Sequence, residues 1–186
     1  MTTWQTLPPG IIGNKATLDV MRANVTEAVL DPFQLTRKCC VAILEQAHAS
    51  GDKIESAHAL FDWIVGNVIF RRDPFNVEQP IPPTVLLAQA EEFARSGGKA
   101  SRPVADCKSQ ASLMAALGFS VGLPICWVVI GPSADEFSHV YACMDLVPGA
   151  RDDASMLAID TATTVPTFGV HSTLDARWVV DAINAY

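Results

Sequence analysis

The chain has 186 residues, of which 49% are hydrophobic and 18% charged, and its formal net charge is −7 at pH 7. These values indicate one folded globular domain. Because the net charge is negative and the basic residues do not cluster, the sequence does not suggest a nucleic-acid partner. The longest apolar stretch, residues 121–130, is too short for a membrane span. The first ten residues lack the basic and apolar regions of a secretory signal. Five cysteines, an odd number, indicate free thiols in a cytoplasmic protein.

The first half of the chain carries helical patterns. Apolar residues recur at helical spacing in residues 14–30, 32–50 and 53–68, which predicts three consecutive helices. Residues 69–84 contain four prolines, which exclude a regular element and predict a long loop. A short helix is then expected over residues 84–96, before Gly97 and Gly98.

A fifth helix is predicted to begin at Cys107 and to run to Val121, with Gly122 as its stop. After it, residues 124–131, 136–146 and 156–163 are short and rich in β-branched and aromatic side chains, which predicts an antiparallel meander of three strands. The tail, residues 174–186, is predicted to form a short final helix. Helices followed by strands indicate a single α+β domain.

Three residues lie on the kinds of element that thiol chemistry requires: Cys107 at the start of a helix, His139 on a strand and Asp160 at the end of a strand. The free N–H groups and the dipole of a helix N-terminus stabilise a thiolate, and the adjacent Lys108 would add to this effect. A strand histidine can take up and return a proton, and a carboxylate such as Asp160 can fix its tautomer. The backbone N–H of Cys107 is a candidate oxyanion donor. Asp106 is predicted to be the N-cap of the helix.

The other four cysteines and His171 are not assigned to the predicted site. A cysteine within an apolar stretch is usually a small core residue, and this interpretation is applied to Cys39, Cys40, Cys126 and Cys143. His171 lies in a loop near the C-terminus, where it could line a cleft, but the sequence assigns it no role.

Three segments carry a resemblance to a known family. "ADCKSQASLMAALGFSVGLPICWVV", "FSHVYACM" and "LAIDTAT", in this order, resemble the core of the transglutaminase-like superfamily of papain-fold cysteine enzymes. Residues 6–32 and 59–86 resemble the corresponding segments of its phage- and prophage-encoded members. The resemblance implies a papain-like core in which N-terminal helices and a nucleophile helix pack on a small antiparallel sheet. It also implies that Cys107 is the nucleophile, His139 the general base and acid, and Asp160 the orienting carboxylate.

The chain departs from the pattern of this family at two places. The family usually has Gly-Asp-Cys followed by an acidic residue, whereas residues 105–108 are Ala-Asp-Cys-Lys, which reverses a charge beside the nucleophile. The usual Asp-Pro-Thr is replaced by Asp-Thr-Ala at residues 160–162. Gln79 and Gln89 precede the nucleophile, as the oxyanion-hole side chain does in papain-like enzymes, but the sequence favours neither.

Two functions therefore remain open at this point. The first is a thiol-dependent acyl-transfer enzyme of the host cytoplasm, a cysteine peptidase or amidase that needs no metal or organic cofactor and acts on a protein or peptide substrate. The alternative is a phage structural or head–tail assembly protein, associated with the virion, that binds other phage proteins through a degenerate transglutaminase-like domain.

We divide the one compact domain into an N-terminal helical region, residues 1–67, and a catalytic core, residues 68–186. We expect the loop at residues 71–83 to border the cleft.

Overall fold

The computed structural model describes residues 10–49, 51–73, 79–132, 138–150, 152–171 and 176–183. These residues form the helices α1 (Gly10–Val29), α2 (Leu35–Gln46), α3 (Lys53–Asn67), α4 (Pro83–Arg95) and α5 (Cys107–Ser120). They also form the strands β1 (Ile69–Phe70), β2 (Val104–Ala105), β3 (Ile125–Gly131), β4 (His139–Asp145), β5 (Met156–Asp160), β6 (Thr167–Phe168) and β7 (Ala176–Asp181). The mixed α+β class predicted from the sequence is confirmed.

All five helices predicted from the sequence are present, with ends set by local signals. Asp52 caps α3, because its carboxylate accepts hydrogen bonds from the N–H groups of Ile54 and Glu55 at 2.8 and 3.0 Å. Pro83 occupies the first turn of α4, where its missing N–H costs no hydrogen bond. Within the described part of the chain, every helix is too short or too polar to cross a bilayer.

Helix α5 lies in the centre of the molecule, where it contacts α1, α2, α3, α4 and the sheet strands β3 and β4. Nearly all of its residues are buried, and beyond Gln110 its side chains are apolar or small on every side of the helix. The buried indole of Trp127 on β3 donates a hydrogen bond of 3.1 Å to the carbonyl of Ala111. The helix ends where Gly122 adopts a φ of 80°, a conformation that glycine tolerates best.

The main sheet has five antiparallel strands in the order β6-β5-β4-β3-β7. Strands β3, β4 and β5 form the predicted meander. One face packs on α5, and the other holds a second buried cluster that includes Val128, Tyr141 and Cys143. The prediction of a helical tail is wrong, because residues 176–181 pair with the free edge of β3 as strand β7. A local pattern does not reveal that distant edge.

Candidate active site

The turn that carries Cys107 is anchored by a small parallel sheet. Strand β2 pairs with β1, and the N–H of Arg71 donates to the carbonyl of Ala105 at 3.0 Å. Asp106 follows β2, and its carboxylate accepts the N–H of Ser109 at 2.9 Å, which confirms it as the N-cap of α5. Cys107 is thus the first residue of α5. Its N–H is one of those for which an α-helix supplies no carbonyl.

His139 and Asp160 lie on neighbouring strands and are hydrogen-bonded to each other. His139 is the first residue of β4 and Asp160 the last of β5, and Nε2 of the histidine is 2.8 Å from Oδ2 of the aspartate. The other carboxylate oxygen of Asp160 accepts the N–H of Ala162 at 3.1 Å. Both oxygens are therefore engaged, and the carboxylate is buried. This arrangement places the ring proton on Nε2 and fixes the tautomer of the imidazole.

Cys107 lies close enough to His139 to affect the pKa of its imidazole. Burial acts to lower the pKa of His139, but hydrogen bonds to Asp160 and Cys107 and the negative charge of both groups outweigh it and raise the pKa to about 9. Since Nε2 faces Asp160, Nδ1 is the nitrogen that remains for the sulfur. The three residues singled out in the sequence thus interact in the order Cys107, His139, Asp160, and a pKa of about 9 favours the cationic imidazole at neutral pH.

Lys108 follows the cysteine, yet its ammonium is held by carboxylates. Its Nζ is 2.5 Å from Oδ2 of Asp106 and 3.5 Å from Oδ2 of Asp73, and the lysine is buried. Burial, followed by the charge of Asp106, raises the pKa of Asp73, while Lys108 and the N–H of Gln79 act in the opposite direction. The positive charge expected to support the thiolate is therefore largely balanced by two carboxylates.

The proline-rich loop contacts the start of α5 at the positions that the structure describes. Asp73 reaches Lys108, and the N–H of Ile81 donates to the hydroxyl of Ser109 at 2.8 Å. Residues 74–78, the centre of the predicted wall of the cleft, lie outside the described residues. Of the two glutamines considered, Gln79 belongs to this loop, whereas Gln89 is exposed on α4.

The other four cysteines are placed as core residues. Cys126 and Cys143 are buried on opposite positions of β3 and β4. Burial raises the pKa of Cys40 to about 11. Burial and the nearby charge of Glu91 also raise the pKa of the half-buried Cys39. Both effects reduce the thiolate fraction at neutral pH, so these thiols are poor nucleophiles.

Two residues that the sequence did not assign to the site lie beside His139. The ring of Tyr141 stacks on the imidazole, and the hydroxyl of Tyr141 bonds to His171. Strand alternation does place Tyr141 on the face of His139. No pattern in the sequence connects His171 to either residue.

Comparisons with protein-family models, with curated proteins and with solved structures give no match. The chemistry of the site is therefore inferred from its geometry. Among the described residues, no group of three or more His, Cys, Asp or Glu side chains is placed to hold a metal ion.

Proposed function

We propose that this protein is a thiol-dependent acyl-transfer enzyme with a transglutaminase-like, papain-like core, acting as a cysteine peptidase or amidase. The proposal rests on the position of Cys107 as the first residue of α5 and on the hydrogen bond between His139 and Asp160, and the effect of Cys107 on the pKa of His139 supports it. A thiol at a helix N-terminus next to a cationic imidazole is the arrangement in which cysteine is a strong nucleophile at neutral pH.

In the first half of the proposed reaction, the thiolate of Cys107 attacks the carbonyl carbon of an amide or peptide. The electron pair of the carbonyl moves to its oxygen, which the backbone N–H of Cys107 can stabilise. As the tetrahedral intermediate collapses, Nδ1 of His139 gives its proton to the leaving amine, and a thioester on Cys107 remains. Asp160 keeps Nε2 protonated and the ring oriented throughout.

In the second half, the neutral imidazole takes a proton from water, and the resulting hydroxide attacks the thioester. Collapse of this second intermediate breaks the carbon–sulfur bond, releases a carboxylic acid and restores the thiolate–imidazolium pair. An amine in place of water would give transamidation through the same steps. We propose hydrolysis of a protein or peptide amide as the main reaction.

An acylation experiment tests this proposal without knowledge of the substrate. The protein is mixed with p-nitrophenyl acetate near pH 7, and the release of p-nitrophenolate and the acetylated peptide are measured. We expect a rapid burst of about one nitrophenolate per chain and an acetyl group on Cys107. Cys107→Ser abolishes the burst, whereas Cys40→Ser, the matched control for a buried thiol, retains it. His139→Ala and Asp160→Ala both slow it, and His139→Ala has the larger effect because its ring contacts the sulfur.

Acetylation spread evenly over several cysteines would contradict the enzymatic proposal. So would folded His139→Ala and Asp160→Ala variants that react like the unmodified protein, because the three residues would then not act as one site. Either result would favour the alternative function, in which a phage assembly protein uses this domain as a binding module.

A further inference from the structure

An aromatic side chain, Tyr141, packs on the imidazole of His139. Tyr141 lies two residues further along β4, so both side chains project from the same face of the strand. The ring centroids are 6.0 Å apart and the ring planes are inclined by 27°, which is a stacked arrangement. Tyr141 is only 1% exposed, and its ring belongs to the second buried cluster of the sheet. The phenol is therefore a fixed surface against which the imidazole rests.

The hydroxyl of Tyr141 is held in turn by His171. Nε2 of His171 lies 2.9 Å from the carbonyl oxygen of Met156, and a carbonyl can only accept, so Nε2 carries the proton. In the neutral ring, Nδ1 is then an acceptor, and the hydroxyl of Tyr141, 3.1 Å away, donates to it. His171 thus joins the phenol to the first residue of β5, the strand that ends at Asp160.

We propose that Tyr141 and His171 are positioning residues for His139, in which His171 fixes the phenol and the phenol holds and electrostatically supports the imidazolium. This inference rests on the proposed function, since it assigns the pair a role in keeping the base of that site in place. The chain of contacts then runs from the backbone of Met156 through His171 and Tyr141 to His139.

The electrostatic part follows from the charge distribution of an aromatic ring. The face of a tyrosine ring is negative and attracts a cation whose centre lies within about 6 Å. A phenol that donates its proton to an acceptor is richer in electrons, which strengthens this attraction. In the part of the chain that the structure describes, the titratable groups that act on His139 are Asp160 from β5 and Cys107 from α5, and Tyr141 supplies a neutral surface beside them.

An NMR titration of the His139 imidazole in the full chain tests the inference. We expect Tyr141→Leu, which removes the ring, to lower the pKa of His139 by about one pH unit. Tyr141→Phe keeps the ring and should lower the pKa by less than Tyr141→Leu. His171→Phe removes the acceptor of the hydroxyl and should match Tyr141→Phe. The double variant Tyr141→Phe/His171→Phe should lower the pKa no further than either single variant, because the three variants remove one shared hydrogen bond.

Val128→Ala is the matched control, because Val128 is fully buried in the same cluster as Tyr141. It should lower stability through a cavity and leave the pKa of His139 unchanged. An unchanged or higher pKa in Tyr141→Leu would overturn the inference. If Tyr141→Leu does not fold, additive effects of Tyr141→Phe and His171→Phe, or no effect of either, would overturn it. The titration reports on His139 even if the acylation of Cys107 fails, so the failures of the two proposals are distinguishable.

Discussion

Lys108 allows the electrostatics at the mouth of α5 to be tested directly. Replacing it with methionine keeps most of the side-chain volume but removes the cation between Asp106 and Asp73. At an effective dielectric constant of about 20, the attraction of the ammonium to the two carboxylates is roughly 7 and 5 kcal/mol before the cost of desolvation. Because the variant leaves the buried carboxylate of Asp106 and the half-buried carboxylate of Asp73 without this partner, we expect it to lower the free energy of unfolding by about 3–5 kcal/mol at pH 7.

Urea denaturation followed by circular dichroism measures this loss, with Lys99→Met as the matched control. Lys99 is exposed, so its replacement should change the free energy of unfolding by less than about 0.5 kcal/mol. A loss below about 1 kcal/mol for Lys108→Met would refute the reasoning, since the ammonium would then contribute no more than a surface pair.

The same variant has an expected pH dependence. Burial raises the pKa of Asp73 in the folded protein above its ordinary value of 3.8. The folded state therefore binds more protons than the unfolded state between the two values, so this group lowers stability as pH rises through that window. Without Lys108, which acts to lower it, the pKa of Asp73 rises further. The difference between Lys108→Met and the unmodified protein should therefore shrink as pH falls through the raised pKa of Asp73 towards 4.

Three further predictions concern other parts of the molecule. Limiting iodoacetamide at about pH 6.5 should alkylate Cys107 before Cys40, as peptide mass mapping can show, and equal rates would contradict the assignment of the nucleophile. The raised pKa of His139 should stabilise the fold below pH 6.5 and lose this contribution, on the order of 3 kcal/mol, as pH rises through about 9. His139→Asn should lack that dependence in denaturation curves. Gly118→Ala should destabilise by about 1–3 kcal/mol, because its Cβ would meet Ile125 at 2.5 Å, whereas Gly66→Ala in α3 meets nothing within 4 Å and should not destabilise. Equal effects of the two glycine variants on thermal unfolding would contradict the close packing of α5 on β3.

The helices and the meander could be predicted because their signals are local. The apolar spacing in residues 14–30 and the β-branched run of residues 125–130 describe their own conformations without reference to the rest of the chain. Strand β7 could not be predicted in this way, because its conformation depends on hydrogen bonds to β3, far away in sequence. The two-residue strands β1, β2 and β6 are too short for any periodic pattern.

In the candidate site, too, the residues with local signals could be predicted, whereas contacts between distant segments could not. Cys107 and Asp160 could be predicted because each lies at the end of a recognisable element, and His139 because it lies on a recognisable strand. Asp106 could be predicted because a cap is a local signal. The partners of Lys108 were not foreseen, since Asp73 reaches it from a separate loop. A charge beside a cysteine in sequence therefore says little about the net charge at its sulfur until the opposing groups are known.

Helix α5 is enclosed by four helices and the sheet, and this enclosure should slow the exchange of its amide protons with solvent. A helix with partners on every side cannot detach alone, so the amide protons of Leu113–Leu117 should exchange with solvent only when the whole domain unfolds. Their exchange would then report the global free energy of unfolding, whereas amides in exposed turns such as residues 147–150 should exchange far earlier. The cysteine at the end of this helix is thus held in place for as long as the native state persists.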